Sequence, residues 1–349
     1  VLANAKFYSI NFSNQTASTV TTLDDMVNTV GGTTYWTAAT SEYGVHAGTA
    51  ATPIHLAETA PTTITDQGIE SWLKGKLDGT HPEFGTPNSN TLYIIFYPQG
   101  TTISLQGQPS CTGGWGGYHS NTRLTNGTLV AYAVVPSCDV GVGVLPTTTG
   151  SVSHEMIEAA TDPFPQNQPA YSFVDQNHLV WEMILLGEVG DMCAQDPAAF
   201  FTPPGYTYRV QRTWSNVAAA AGHDPCQPSL PNEVYFNAVP QLNDTVTITV
   251  QGQSVTTKGV QIAVGQNKTI GVDLFSDAAR NTWSVTATDL NQMDLSFSWS
   301  RTSGNNGDTL NLTITRNRAN AQYGATPFAV VSYTGTGQNQ HYFFGIVGN

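Results

Sequence analysis

The sequence predicts an α+β catalytic domain of zincin-like type over residues 1–230, followed by an all-β, immunoglobulin-like sandwich over residues 231–349. Three observations point there. His154-Glu-Met-Ile-Glu158 has the spacing of one helix face. Helical and strand patterns share the chain before residue 230. Beyond Pro228-Ser-Leu-Pro-Asn232 the pattern changes to short segments of period two.

Residues 66–77 read as an amphipathic helix, with Ile69, Trp72, Leu73 and Lys76 near one face. Leu92-Tyr-Ile-Ile-Phe-Tyr97 and Leu129-Val-Ala-Tyr-Ala-Val-Val135 read as strands, closed by Pro98-Gln-Gly100 and Pro136. Ser151 or Ser153 can cap the helix that carries the motif. Pro163 ends it, because the residue before proline is pushed out of the α region. Residues 245–250, 283–287, 295–299, 310–314 and 328–333 alternate polar and apolar, and Gly304-Asn-Asn-Gly-Asp308 is a turn signal. That is the pattern of a small antiparallel sandwich. Its only histidine is His341, so an accessory role is expected.

Composition narrows the function. Only 11% of the 349 residues are charged, and 12 Lys+Arg against 25 Asp+Glu give a net charge of −13. A nucleic-acid partner is not expected, because phosphate binding needs a basic stripe. No apolar run approaches the ~20 residues of a membrane span. No Lys or Arg occurs in the 85 residues between Arg123 and Arg209, where nine carboxylates fall. Their partners must come from elsewhere in the fold, from protons or from a bound cation. The competing reading is a solvated acidic face. Few basic groups also limit positive self-repulsion, which suits a protein that tolerates acid.

Cys111, Cys138, Cys193 and Cys226 lack the C-x-x-C spacing of zinc ribbons and thioredoxins. The sequential pairing, Cys111–Cys138 and Cys193–Cys226, is the simplest, and it implies an oxidising compartment. The chain starts at Val1, so it reads as the mature part of a secreted precursor and is expected to be a monomer.

The chemistry concentrates at His154, Glu155 and Glu158. His154 and Glu158, four apart, can point at one cation, while Glu155 is turned about 100° round the helix towards a water on that cation. This is the H-E-x-x-H metallopeptidase arrangement with glutamate as the second ligand. With 8 His, chance matches number about 0.005 in this chain. The metal lowers the pKa of its water, and Glu155 is the general base. A third ligand follows downstream: Glu188 is favoured, Asp162 or Asp191 being either an orienting group or the ligand itself, with Glu182 also in that stretch. Zn2+ is the expected ion, with Ca2+ as an additional or alternative one and Mn2+ compatible with the oxygen-rich set. Candidates for stabilising the oxyanion or holding substrate are Tyr118, His119, His178, Tyr206, Tyr208, Arg209 and His223. Glu155 and Glu188 facing a sugar would instead make a glycosidase.

Residues 92–100, Gly117-Tyr-His-Ser120, Tyr132-Ala-Val-Val-Pro136, Gly187-Glu-Val-Gly-Asp-Met-Cys193 and Thr213-Trp-Ser-Asn216 resemble, in order, the phosphate-induced, EXORDIUM-like secreted proteins. The likeness covers roughly residues 30–228. Bacterial members look similar through the His-Glu-x-x-Glu segment, which plant members, linked to cell-wall growth signalling, look to lack. The resemblance thus implies secretion but leaves the enzymatic reading to His154, Glu155 and Glu158. The expectation is a secreted zinc endopeptidase acting on protein or peptide. The alternative is a non-enzymatic extracellular binding or signalling protein with a structural cation.

Overall fold

The structure, a computed structural model, describes residues 1–168, 170, 180–181, 187–230, 233–250, 253–291, 293–320, 324–335 and 339–349. The chain forms two units that do not separate at one point. The first comprises residues 1–172, 200–215 and 226–228; the second comprises residues 173–199, 216–225 and 229–349.

The expected zincin-like α+β domain followed by an immunoglobulin-like sandwich is overturned by the strand content. Strand makes up 37% of the described residues against 21% helix, spread over many sheets in both units. The reason is physical. The His154–Glu158 spacing constrains one helix, whereas the sheets follow from apolar and alternating runs on which the motif has no bearing.

Strands of the first unit are β1 (Lys6–Asn11), β2 (Thr49–Ala50), β3 (Ile54–His55), β4 (Thr63–Thr65), β5 (Thr91–Tyr97), β6 (Thr102–Leu105), β7 (Gln108–Pro109), β8 (Tyr118–Arg123) and β9 (Leu129–Pro136). Four two-residue strands follow: β10 (Phe200–Phe201), β11 (Val210–Gln211), β12 (Thr213–Trp214) and β13 (Cys226–Gln227). Its helices are α1 (Ala17–Val30), α2 (Thr34–Thr40), α3 (Asp66–Lys76) and α4 (Val144–Thr161). The main sheet runs β2-β1-β5-β9-β8, with β3 also on β1. Every pairing in it is parallel except β8 with β9.

All seven residues of β5 are buried, as a parallel strand covered on both faces requires. Tyr93, Ile95 and Tyr97 join Tyr8, Ile10, Tyr132 and Val134 in one core with Ile69 and Leu73 of α3. Period two sends Leu92, Ile94 and Phe96 to the opposite face. There α4 packs against β5, β8 and β9, and α1 packs on β1. α4 begins seven residues before Ser151, so neither Ser151 nor Ser153 caps it. Ser153 sits inside the helix, where its Oγ donates to Gly150 O (2.7 Å) and accepts from Gln211 N (2.9 Å). α4 ends at Thr161, two residues before Pro163.

The second unit holds α5 (Asp191–Ala194) and α6 (Asn216–Ala220). Its strands are β14 (Phe236–Pro240), β15 (Asp244–Val250), β16 (Gln253–Gln261), β17 (Asn267–Ser276), β18 (Trp283–Asp289), β19 (Leu295–Trp299), β20 (Ser303–Gly304), β21 (Thr309–Arg316), β22 (Thr326–Thr334) and β23 (Asn339–Gly348). They form a sheet β14-β17-β21-β19 and a sheet β15-β16-β23-β22-β18-β20. Phe236, Val272 and Leu310 from one, and Val285, Val330 and Val347 from the other, share a single core. The β16–β23 pairing is parallel, Val260 opposite Val347.

All four cysteines are disulfide-bonded, Cys111 to Cys138 among them. No helix among the described residues is long and apolar enough to cross a membrane. The disulfides are compatible with an extracellular location.

Two measurements test this account of the first unit. Ile95→Ala, in the middle of β5, should cost about 2–5 kcal/mol in denaturant unfolding; a cost under about 0.5 kcal/mol would contradict a close-packed central strand. Glu70 of α3 accepts from Lys74 Nζ (2.7 Å) and Thr122 Oγ1 of β8 (2.7 Å), and both contacts hold its carboxyl below the usual range. Its stabilisation is therefore present above the unfolded carboxyl value of 4.5 and is lost as pH falls through the lower folded value. The melting temperature of Glu70→Gln should fall less steeply than wild type in that acid range, and equal slopes would remove the link.

Candidate metal centre

α4 puts His154 and Glu158 one helical turn apart, and His154 Nε2 lies 3.0 Å from Glu158 Oε2. The edge strand β8 brings His119 to the same carboxylate, with Nδ1 3.6 Å from Glu158 Oε2 and 3.7 Å from Glu155 Oε2. Glu155 is 4% and Glu158 2% exposed.

The hydrogen bonds fix both imidazoles. His119 Nε2 is 3.0 Å from the Asp162 carbonyl oxygen, which can only accept, so Nε2 carries a proton. His154 Nδ1 donates to Gln211 Oε1 at 2.8 Å. Each ring thus commits one nitrogen to an orienting acceptor and turns the other towards Glu158. Histidines that bind metals are held in this way. His119, His154 and Glu158 thus bring three side chains of ligand chemistry together, with Glu155 beside them.

Electrostatics separates the two glutamates. Burial raises the Glu155 carboxyl and outweighs the His154 charge and the His119 hydrogen bond. Burial pushes Glu158 the same way, but the His154 charge and hydrogen bonds from both histidines overcome it and hold Glu158 far below the usual carboxylate range. A buried carboxylate kept ionised needs positive charge beside it, on an imidazolium or an ion.

Glycine supplies the clearance. A Cβ on Gly117 would sit 2.6 Å from Glu155 Oε1, and one on Gly116 would sit 2.9 Å from Ser151 Oγ. Only glycine lets this backbone lie on α4 there. Beside His119 a cavity of about 450 Å3 is lined by Tyr118, Asp66, Gln67, Ser120 and Gln166, among others. The Asp66 carboxylate accepts from Tyr118 Oη (2.7 Å) and Tyr132 Oη (3.2 Å).

Asp162 caps α4, and its Oδ1 accepts from Ala170 N (3.0 Å). Tyr206 Oη reaches Met26 O at 3.5 Å, and Tyr208 donates to Asp25. The Arg209 guanidinium lies over the Phe200 ring, 4.5 Å from its centroid. Glu188 and Asp191 fall in the second unit, Glu188 before α5 and Asp191 at its first position, and His223 also lies there. His178 and Glu182 lie outside the described residues. Sequence reasoning placed His119 among oxyanion or substrate groups, whereas the structure sets it beside both glutamates. It missed Gln211, for which the sequence carries no signal.

No family model matches the chain, and no curated protein does. Among solved structures, the chain is similar to the FixG-related protein from Vibrio parahaemolyticus at 9% identity and a TM-score of 0.22, covering 33% of this chain and 94% of that one. It is also similar to domains 4 and 5 of the S-layer protein SbsC at 15% identity and a TM-score of 0.20, covering 40% of this chain and 81% of that one.

Proposed function

We propose that the first unit is a divalent-metal-dependent hydrolase acting on peptide bonds outside the cell, with zinc as the ion. The observation that carries this reading is the Glu158 carboxylate lying 3.0 and 3.6 Å from two imidazole nitrogens whose opposite nitrogens are already committed. Ligands about 2.0–2.2 Å from a tetrahedral ion stand roughly 3.3–3.6 Å apart, so these separations fit with small adjustment. A bound divalent ion would activate water and polarise a carbonyl.

The chain's own residues divide the remaining work. Gln211 and the Asp162 carbonyl hold the two imidazoles in orientation. Glu155, beside the ligands but not among them, takes a proton from water and returns it to the leaving amine; its raised pKa suits both transfers. The cavity beside His119 is where substrate would enter. A second reading, a structural ion without chemistry, is favoured by one observation: both glutamates are almost wholly buried.

Glu155→Gln should retain the metal and lose hydrolysis of denatured protein by about 100-fold or more; unchanged hydrolysis would overturn the reading. Since the base acts unprotonated, kcat/KM should rise with pH through the raised Glu155 value, and that limb should vanish in the variant. Gly117→Ala should displace β8 from Glu155 and lower hydrolysis at least tenfold, with unfolding still cooperative. Loss of stability to a chelator, with no hydrolysis under any condition, would instead establish the structural ion.

A further inference from the structure

We propose that the cavity beside β8 binds an organic cation, an ammonium or guanidinium group, with the Asp66 carboxylate as its counter-ion. The cavity stands on its own geometry within the first unit. That the cation is a lysine or arginine side chain of a peptide rests on the proposed hydrolase.

Asp66 is the first residue of α3, behind the Thr65 cap whose Oγ1 accepts from Gly68 N at 3.1 Å. A negative side chain is favoured at that end of a helix. Tyr118 of β8 donates to Asp66 Oδ1 at 2.7 Å, and Tyr132 of β9 donates to the same atom at 3.2 Å. Burial first, and Asp66 second, raises both phenols, so each stays a donor at neutral pH. Both bonds fall on Oδ1. Among the described residues Oδ2 receives none, and no Lys or Arg pairs with this carboxylate. A carboxylate fixed through one oxygen and open at the other is a preformed partner for a cation.

The walls suit the same ligand. Gln106 and Gly107 form the two-residue turn between β6 and β7, with φ of 50° and 83°. Positive φ at both positions is the backbone of a primed hairpin turn, and it gives that wall one shape. Gln166 donates its Nε2 to Ser120 Oγ at 3.1 Å, which leaves its amide oxygen to accept. Among the described residues lining the cavity, Asp66 is the one carboxylate and no Lys or Arg occurs. The volume, about 450 Å3, lies within the roughly 300–1,000 Å3 of small-molecule sites. It accommodates an alkyl chain that ends in a charged nitrogen. His119 lines the same cavity and lies 3.7 Å from Glu155, which joins the cavity to the proposed general base.

Calorimetric titration of the intact chain in an amine-free buffer, with Nα-acetyl-lysine amide, Nα-acetyl-norleucine amide and butylammonium, tests the pocket. The lysine amide and butylammonium should bind, and the norleucine amide, which lacks the charged nitrogen, should not. Asp66→Asn should weaken both amines by roughly tenfold or more. Equal affinity for the lysine and norleucine amides, or no binding of either amine, would overturn the pocket; so would preferential binding of a neutral glycoside. These comparisons use the wild-type chain and decide the matter even if the variant fails to fold. Peptides matched except for Lys against norleucine then identify the source of the cation. A kcat/KM preference for Lys of about tenfold or more, abolished in Asp66→Asn, is expected of a peptide subsite. Amine binding with hydrolysis indifferent to Lys would overturn the peptide source and assign the pocket to a free amine. Amine binding with no hydrolysis at all would remove the hydrolase and leave the pocket standing.

Discussion

A carboxylate removed from water must be given positive charge or a proton, and Glu158 imposes that requirement on the first unit. At 2% exposure it cannot rely on solvent. Its demand is met by imidazoles arriving from two elements with different geometry, the helix α4 and the edge strand β8. Each imidazole in turn needs an acceptor, which the end of α4 and strand β11 provide. The parallel core of β1, β5 and β9 matters to the site because it holds β8 in register against α4.

Local spacing was readable in the sequence; convergence was not. The helix carrying His154 and Glu158 follows from the four-residue interval and Pro163, although it starts earlier, at Val144 with no side-chain cap, and its residues 147–150 are buried. The strands around Ile94 and Val134 follow from long apolar runs. His119 is different. It lies 35 residues before His154, and only the β8–β9 register, with His119 opposite Ala133, brings it over α4. Gln211 enters on a two-residue strand that no periodicity announces. The fold class departs from the expectation for the same reason, since a five-residue motif constrains one helix and not the sheets around it. The composition shift near residue 230 marks a change of pattern, while residues 173–199 and 216–225 group with the later strands.

The charge distribution takes on a local meaning. Of the nine carboxylates in the Lys/Arg-free stretch, Glu155 and Glu158 are buried on one helix with histidines as their neighbours in place of lysine or arginine. An arginine there would form a permanent ion pair and close the position to a divalent ion. Histidine can bind either a proton or a metal, so a histidine-lined carboxylate stays available to an ion.

The Cys111–Cys138 bond joins residues 27 apart and encloses both β8 and β9. A ring of that size removes roughly 3.5 kcal/mol of unfolded-chain entropy in the loop-closure picture. Edge strands have a neighbour on one side only and are the first part of a sheet to fray. Here the fraying end would carry His119 away from Glu158. The covalent ring is thus a tether on His119 more than on the fold as a whole, and a reducing environment would act first on the contact between His119 and Glu158 and only afterwards on the sheet.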